Sequence, residues 1–102
     1  MKIIACGSRA WEDVGSVWER LFLLPEGSFV VHGHSPGGGA DKIIDTCARG
    51  MGHRVIRVTI SAEDSERAGA RQRRAPIFRN LRMYDEHPDA ELVLEIIREA
   101  VE

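Results

Sequence analysis

The sequence predicts an α/β fold of three layers, with a short parallel sheet between two layers of helices. Two observations predict it. Short apolar runs, of the kind that form parallel strands covered on both faces, alternate with segments whose apolar residues recur at helical spacing. Glycine and proline separate these segments. At 102 residues, with 43% apolar and 29% charged residues, the chain has the size and composition of one globular domain.

Three strands and three helices are predicted, alternating as β-α-β-α-β-α. Their ranges in chain order are 2–6, 13–24, 28–33, 40–51, 53–60 and 76–84. The last helix begins at Pro76, because proline is favoured in a first turn, and the polar stretch 61–75 has no clear period. Right-handed crossovers between such elements give a three-layer α/β sandwich in a single domain, residues 1–102.

The segment 89–102 fits two different elements. Its apolar residues recur at helical spacing, at Leu92, Val93, Ile96, Ile97, Ala100 and Val101. Asp89 is suited to cap such a helix. A terminal helix is therefore favoured, with a fourth strand as the alternative.

Two glycine-bearing turns follow the first and second strands. They read CGSR at 6–9 and HGHSPGGGAD at 32–41. Ligands of open α/β sheets bind outside the carboxyl ends of the strands. Glycine lets backbone N–H groups approach a phosphate, and a following helix adds unpaired N–H groups. Flexible loops are the simpler explanation of one such turn, but two on neighbouring strands favour a phosphate or nucleotide site. Neither turn matches the P-loop or the GxGxxG pattern.

Three segments together resemble the SLOG superfamily, and within it the small YspA-like branch found in bacteria and phages. The segments are CGSRAWED at 6–13, VVHGHSPGGGAD at 30–41 and APIFRNLRM at 75–83. The resemblance extends over about residues 1–85 and implies a Rossmann-like fold that binds nucleotides or nucleotide-derived ligands, such as ADP-ribose or NAD-like compounds. It also implies kinship with the Lonely Guy phosphoribohydrolases and with the Smf/DprA group, which binds single-stranded DNA.

The resemblance implies a ligand site made of three parts. These are Gly7, Ser8 and Arg9 in the first turn, Gly33, Gly38, Gly39, Ala40 and Asp41 in the second, and Arg79 and Asn80 in the third helix. Ser8 offers a hydroxyl donor, and Arg9 and Arg79 offer planar forks that suit phosphate oxygens. Asp41 either caps its helix or holds a ribose hydroxyl.

One aromatic residue and two histidines lie beside these turns. Trp11 either stacks on a base or packs in the core. His32 is expected to end its strand and fix the loop, and His34 is the better candidate for a ligand contact. No cluster of cysteines or acids accompanies the histidines, so neither a metal site nor another cofactor is expected.

The chain departs from the family at its end. Relatives continue with a glycine-rich turn, and their phosphoribohydrolases carry a PGGxGT-type motif with a glutamate; neither is present here. The domain is thus expected to be C-terminally shortened, with half of the pocket missing or supplied by a neighbouring subunit.

No catalytic residue is assigned. We expect a nucleotide-binding sensor or sequestering module. The alternatives are a hydrolase of nucleotide N-glycosidic bonds, assisted by Asp41 or Glu12, and a DNA-associated module.

The net charge of −2 conceals a segregation of charge. Six arginines and no acid lie in 67–82, and seven acids and one arginine lie in 85–102. Such blocks indicate a solvated face, a contact between subunits or an anionic ligand near the arginines. We expect a homo-oligomer, a dimer or larger.

No run of apolar residues is long enough to span a membrane. Cys6 and Cys47 are expected to be reduced thiols of a cytoplasmic protein.

Overall fold

The fold is a four-stranded, wholly parallel sheet covered by helices on both faces, in a computed structural model that describes residues 1–8, 11–33 and 39–96. The strands are β1 (Lys2–Gly7), β2 (Phe29–His32), β3 (Arg54–Arg57) and β4 (Leu92–Ile96). Their order across the sheet is β3-β2-β1-β4. The predicted three-layer α/β architecture is confirmed.

Four helices in the described ranges connect and cover the strands. They are α1 (Val14–Phe22), α2 (Ala40–Gly50), α3 (Ala62–Ala68) and α4 (Ala75–Glu86), with a short 3-10 turn at Gln72–Arg74. The three predicted helices are confirmed, and α4 has Pro76 in its first turn. The sequence reading missed α3. Its local signal is a capping box, in which Ser61 accepts from the Asp64 amide and the Asp64 carboxylate accepts from the Ser61 amide.

The core has one part on each face of the sheet. On one face, Ile3 and Val30 pack with Val17 of α1 and Ile44 of α2. On the other face, Met83 of α4 lies in a smaller cluster, with Ile4, Val31 and Val58. Side chains alternate between the two faces along β1 and β2, which explains why both strands are apolar without interruption.

The favoured terminal helix is wrong over residues 92–96, which form β4 parallel to β1. Asp89 does not cap a helix there; its carboxylate accepts from Lys2 Nζ at 3.1 Å, and the Glu91 amide donates to the Lys2 carbonyl. Without β4, the buried strand β1 would have unpaired backbone N–H and C=O groups along one edge. Leaving these groups unpaired costs more free energy than residues 92–96 would gain by forming an amphipathic helix. Residues 97–102 lie outside the described ranges.

The ion pair of Asp64 and Arg82 ties α3 to α4. Arg82 donates to both carboxylate oxygens of Asp64, at 2.9 and 3.3 Å, and to the Thr59 carbonyl at 2.7 Å. These guanidinium bonds hold the pKa of the buried Asp64 carboxyl at about 2. Neither Cys6 nor Cys47 forms a disulfide within the described residues; Cys47 is buried and Cys6 half-buried. In the described ranges, no helix has the length and apolarity needed to cross a bilayer.

Candidate functional site

The two glycine-bearing turns meet at the carboxyl edge of the sheet. β1 ends at Gly7 and β2 at His32, and the two strands are parallel neighbours. The Ala40 amide, at the start of α2, donates to the Ser8 carbonyl at 2.9 Å. The Trp11 amide donates to the same oxygen at 3.2 Å. The Ser8 carbonyl therefore joins both turns, and their predicted proximity is confirmed.

Arg79 of α4 reaches into the second turn from the opposite layer. Its side chain is buried, with the residue 5% exposed, and its Nη1 donates to the Gly33 carbonyl. A Cβ added at Gly33 would lie 2.6 Å from Nη1 and 2.7 Å from Nε of Arg79. A side chain at position 33 would therefore displace the guanidinium, which packs directly against the backbone there.

Asp41 completes the contact between α4 and α2. It lies in the first turn of α2, where a carboxylate interacts favourably with the helix dipole. Its Oδ2 is 3.9 Å from Arg79 Nη2, and both side chains are buried. The helix cap is Gly39, whose φ of 80° favours glycine, and it makes no side-chain capping bond. Asp41 is thus an ion-pair partner of Arg79 in the first turn of α2, and the N-cap position belongs to Gly39.

Two further candidates have partners of their own. The Asn80 carbonyl oxygen accepts from Arg79 Nε at 2.9 Å, which orients the guanidinium. Trp11 packs against the α1–α2 side of the core and donates its indole N–H to the Asp13 carbonyl. Core packing, one of the two roles expected for Trp11, is therefore confirmed. The remaining candidates Arg9, His34 and Gly38 lie outside the described residues.

A buried polar cluster beneath the second turn was not anticipated. Asp45 of α2 accepts from His32 Nε2 at 2.7 Å, from Arg57 Nε and Nη2 at 2.8 and 3.1 Å, and from Arg49 Nε at 3.0 Å. His32 is fully buried and ends β2, as expected. The bonds from Arg57, and then those from His32, hold the pKa of Asp45 at about 2. This cluster fixes α2 over the ends of β2 and β3.

The arginine block divides into internal and exposed members. Arg79 and Arg82 hold the fold together, and Arg67 stacks over the Phe78 ring at 4.7 Å. Arg71, Arg73 and Arg74 are exposed at the start of α4. Within the described part of the chain no side-chain hydrogen bond or ion pair is found for these three. Over the same part, no group of His, Cys, Asp or Glu side chains is placed to hold a metal ion.

The chain is similar to the Gene 61 protein of Mycobacterium phage D29. The two are 35% identical over 88 residues, a match that spans 80% of this chain and 66% of the phage protein. No protein-family model matches the chain. No solved structure matches it either.

Proposed function

We propose that the carboxyl edge of the sheet binds the phosphate of a nucleotide-type small molecule, such as ADP-ribose or an NAD-like compound, and that the chain is a sensor or sequestering module of SLOG type. The bond between the Ala40 amide and the Ser8 carbonyl carries the proposal, because it brings the two glycine-bearing turns together. We name the residues around this bond the corner site: Ser8, Gly33, Gly39, Ala40, Asp41 and Arg79.

The chemistry of the corner site suits an anion with a sugar attached. The amino-terminal end of α2 supplies partial positive charge beside the Ser8 carbonyl, to which its Ala40 amide donates. Arg79 adds a full positive charge. Its hydrogen bonds to Asn80 and to the Gly33 carbonyl also hold the second turn in place. At 3.9 Å, its contact with Asp41 is at the outer limit of an ion pair, and a ribose hydroxyl that reached Asp41 would give this buried carboxylate a further hydrogen bond.

Binding is favoured over hydrolysis because two of the three nearby acids already have structural roles and the third is exposed. Asp13 caps α1 and accepts from the Ser16 amide at 3.2 Å. Asp41 faces Arg79, and Glu12 is exposed. A general acid or base needs a carboxyl within hydrogen-bond reach of the reacting group. We therefore expect no adenine from AMP after prolonged incubation with the protein, as measured by chromatography; release of the base would favour the hydrolase instead.

Arg79→Lys is expected to raise the Kd for ADP-ribose about tenfold or more, because lysine keeps the charge but loses the fork that orders the turn. Isothermal titration calorimetry measures this effect. Arg82→Lys, on the same helix, is the matched control: it loosens Asp64 and lowers the melting temperature similarly but leaves the Kd unchanged. Equal losses of affinity in both variants, or no binding of ADP, ADP-ribose or NAD by the wild type, would overturn the proposal.

The exposed arginines favour a DNA-associated module as a second candidate. Arg71, Arg73 and Arg74 lie together at the start of α4, as the phosphate contacts of a nucleic-acid site would. The DNA-associated module ranks second because few aromatic side chains near these arginines are available to stack on bases. The Phe78 ring is covered by Arg67, and Trp11 packs against the core.

The DNA candidate makes a specific prediction about salt. The affinity for a single-stranded oligonucleotide should fall with salt, and changing Arg71, Arg73 and Arg74 to serine should reduce the slope of log affinity against log salt by about 2. Fluorescence anisotropy with labelled oligothymidine measures the slope, and changing three other exposed cations, Lys42, Arg20 and Arg54, is the control. A slope that the arginine variant leaves unchanged excludes this candidate.

A further inference from the structure

Helix α1 carries a row of exposed apolar side chains that the core does not use. Val14, Trp18 and Phe22 recur every fourth residue, and Phe22 is 70% exposed. Leu23, which follows it, is 83% exposed. Val17 and Leu21 are the residues of α1 that pack into the core, and both are fully buried. The exposed row therefore needs another explanation, since contiguous apolar surface of this kind marks interaction sites.

The exposed row borders α2 along two hollows, which together we name the α1–α2 groove. One hollow, of about 160 Å³, lies at the start of both helices and is lined by Val14, Lys42, Ile43, Thr46 and Cys47. The other, of about 290 Å³, lies at their ends and is lined by Trp18, Phe22, Leu24, Glu26, Met51 and His53. Each hollow has the room to accept a large side chain.

The two ends of the groove carry opposite charges. Lys42 lies at the first hollow and Glu26 at the second, and both residues are exposed. Within the described ranges, no ion pair is found for either of them. A surface that carries a cation at one end and an anion at the other complements itself when it is rotated by 180°.

We propose that the α1–α2 groove is the interface with a second copy of this chain, related by a two-fold axis near Trp18. Antiparallel packing of the two α1 helices places Phe22 of one protomer against the partner's first hollow, beside the partner's Val14. It also places Lys42 opposite the partner's Glu26. The same row of residues serves both protomers, as an isologous interface requires. The proposal is independent of the ligand at the corner site.

Sedimentation equilibrium tests the apolar half of the proposal. The wild-type chain is expected to be a dimer at about 100 µM, and Phe22→Glu should weaken the dimer about 100-fold, since it places a charge against the partner's apolar first hollow. Ile77→Glu is the matched control. Ile77 is 57% exposed on α4 in the opposite layer, and its substitution should leave the dimer unchanged. Circular dichroism verifies that both variants fold.

A charge exchange tests the geometry. Lys42→Glu and Glu26→Lys should each weaken the dimer several-fold, and the double variant should recover most of the loss, because the pair is restored between protomers. A double variant as weak as the single ones would overturn the two-fold arrangement. A wild-type monomer at the same concentration, or a Phe22→Glu variant that remains dimeric, would overturn the interface and assign the groove to a different occupant.

Discussion

Gly33→Ala is expected to destabilise the protein by about 2–3 kcal/mol, since the added methyl group has no room beside a buried guanidinium. The new Cβ would be 2.6 Å from Arg79 Nη1, so Arg79 must leave its position. Its bond to the Gly33 carbonyl is then lost, and two buried polar groups need new partners. The affinity for ADP-ribose should fall together with the stability, because both depend on the same turn.

A double-mutant cycle measured by urea unfolding identifies the cause. In an Arg79→Leu background, which keeps the apolar stem and removes the guanidinium, Gly33→Ala should cost about 0.5 kcal/mol or less. Gly15→Ala is the control: its Cβ would lie 3.5 Å from the Asp13 carboxylate, an ordinary contact, and it should stabilise α1 by about 0.5–1 kcal/mol. If the losses of unfolding free energy caused by Gly33→Ala and Arg79→Leu simply add in the double variant, the alanine clashes with something other than Arg79.

Asp45→Asn is expected to cost about 2–3 kcal/mol at pH 7, because it leaves a buried histidine and two arginines without their shared carboxylate. His32 is fully buried and depends on Asp45 for its Nε2 bond. Arg57 loses a bidentate pair. Since Asp45 holds α2 over the ends of β2 and β3, the loss should extend to the corner site above it.

The same variant has a defined pH dependence. The pKa of Asp45 is about 2 in the folded protein and about 3.9 in an unfolded chain. A lowered folded pKa means that the carboxylate stabilises the fold fully above about pH 5 and progressively less as the pH falls towards 2. The stability difference between wild type and Asp45→Asn should therefore be constant from about pH 7 to 5 and decrease below about pH 4.

Urea unfolding at several pH values measures this difference. Glu19→Gln, a charge removal on the exposed side of α1, is the control and should change stability by less than about 0.5 kcal/mol. Asp64→Asn should behave like Asp45→Asn, since the pKa of Asp64 is also about 2. A difference that stays constant down to pH 3 would mean that the Asp45 carboxylate is not stabilised by its partners.

Much of the corner site follows from the order of the elements. Parallel strands that are neighbours present their carboxyl ends at one edge, so the turns after β1 and β2 were expected to meet. The partners of their side chains could not be predicted in this way. Asp41 was expected to cap α2 or hold a ribose hydroxyl, and Arg79 to offer its fork to a phosphate. Neither expectation included the ion pair that the two side chains form with each other. Nothing local to either residue signals a contact across two layers.

Asp45 was missed for a related reason. In the sequence it is one polar residue on an amphipathic helix, and polar residues there are usually exposed. Its partners His32 and Arg57 come from the ends of two different strands. Asp64 did have a local signal, the Ser61 capping box, but its bond to Arg82 depends on how α3 packs against α4.

Short-range patterns were sufficient for β1, β2, α1 and α2, because apolar runs, helical stripes and glycine or proline boundaries act within a few residues. The segment that forms β4 shows that such short-range patterns are not always sufficient. Its apolar residues suit a helix and a strand alike, and the free edge of β1, some 90 positions earlier, selected the strand. Contacts between distant segments decide which strand pairs with the edge of β1, which partner the buried Arg79 has, and which strand residues share the Asp45 carboxylate. Such contacts exist only once the chain is folded, since their energies depend on burial and geometry that no local pattern encodes.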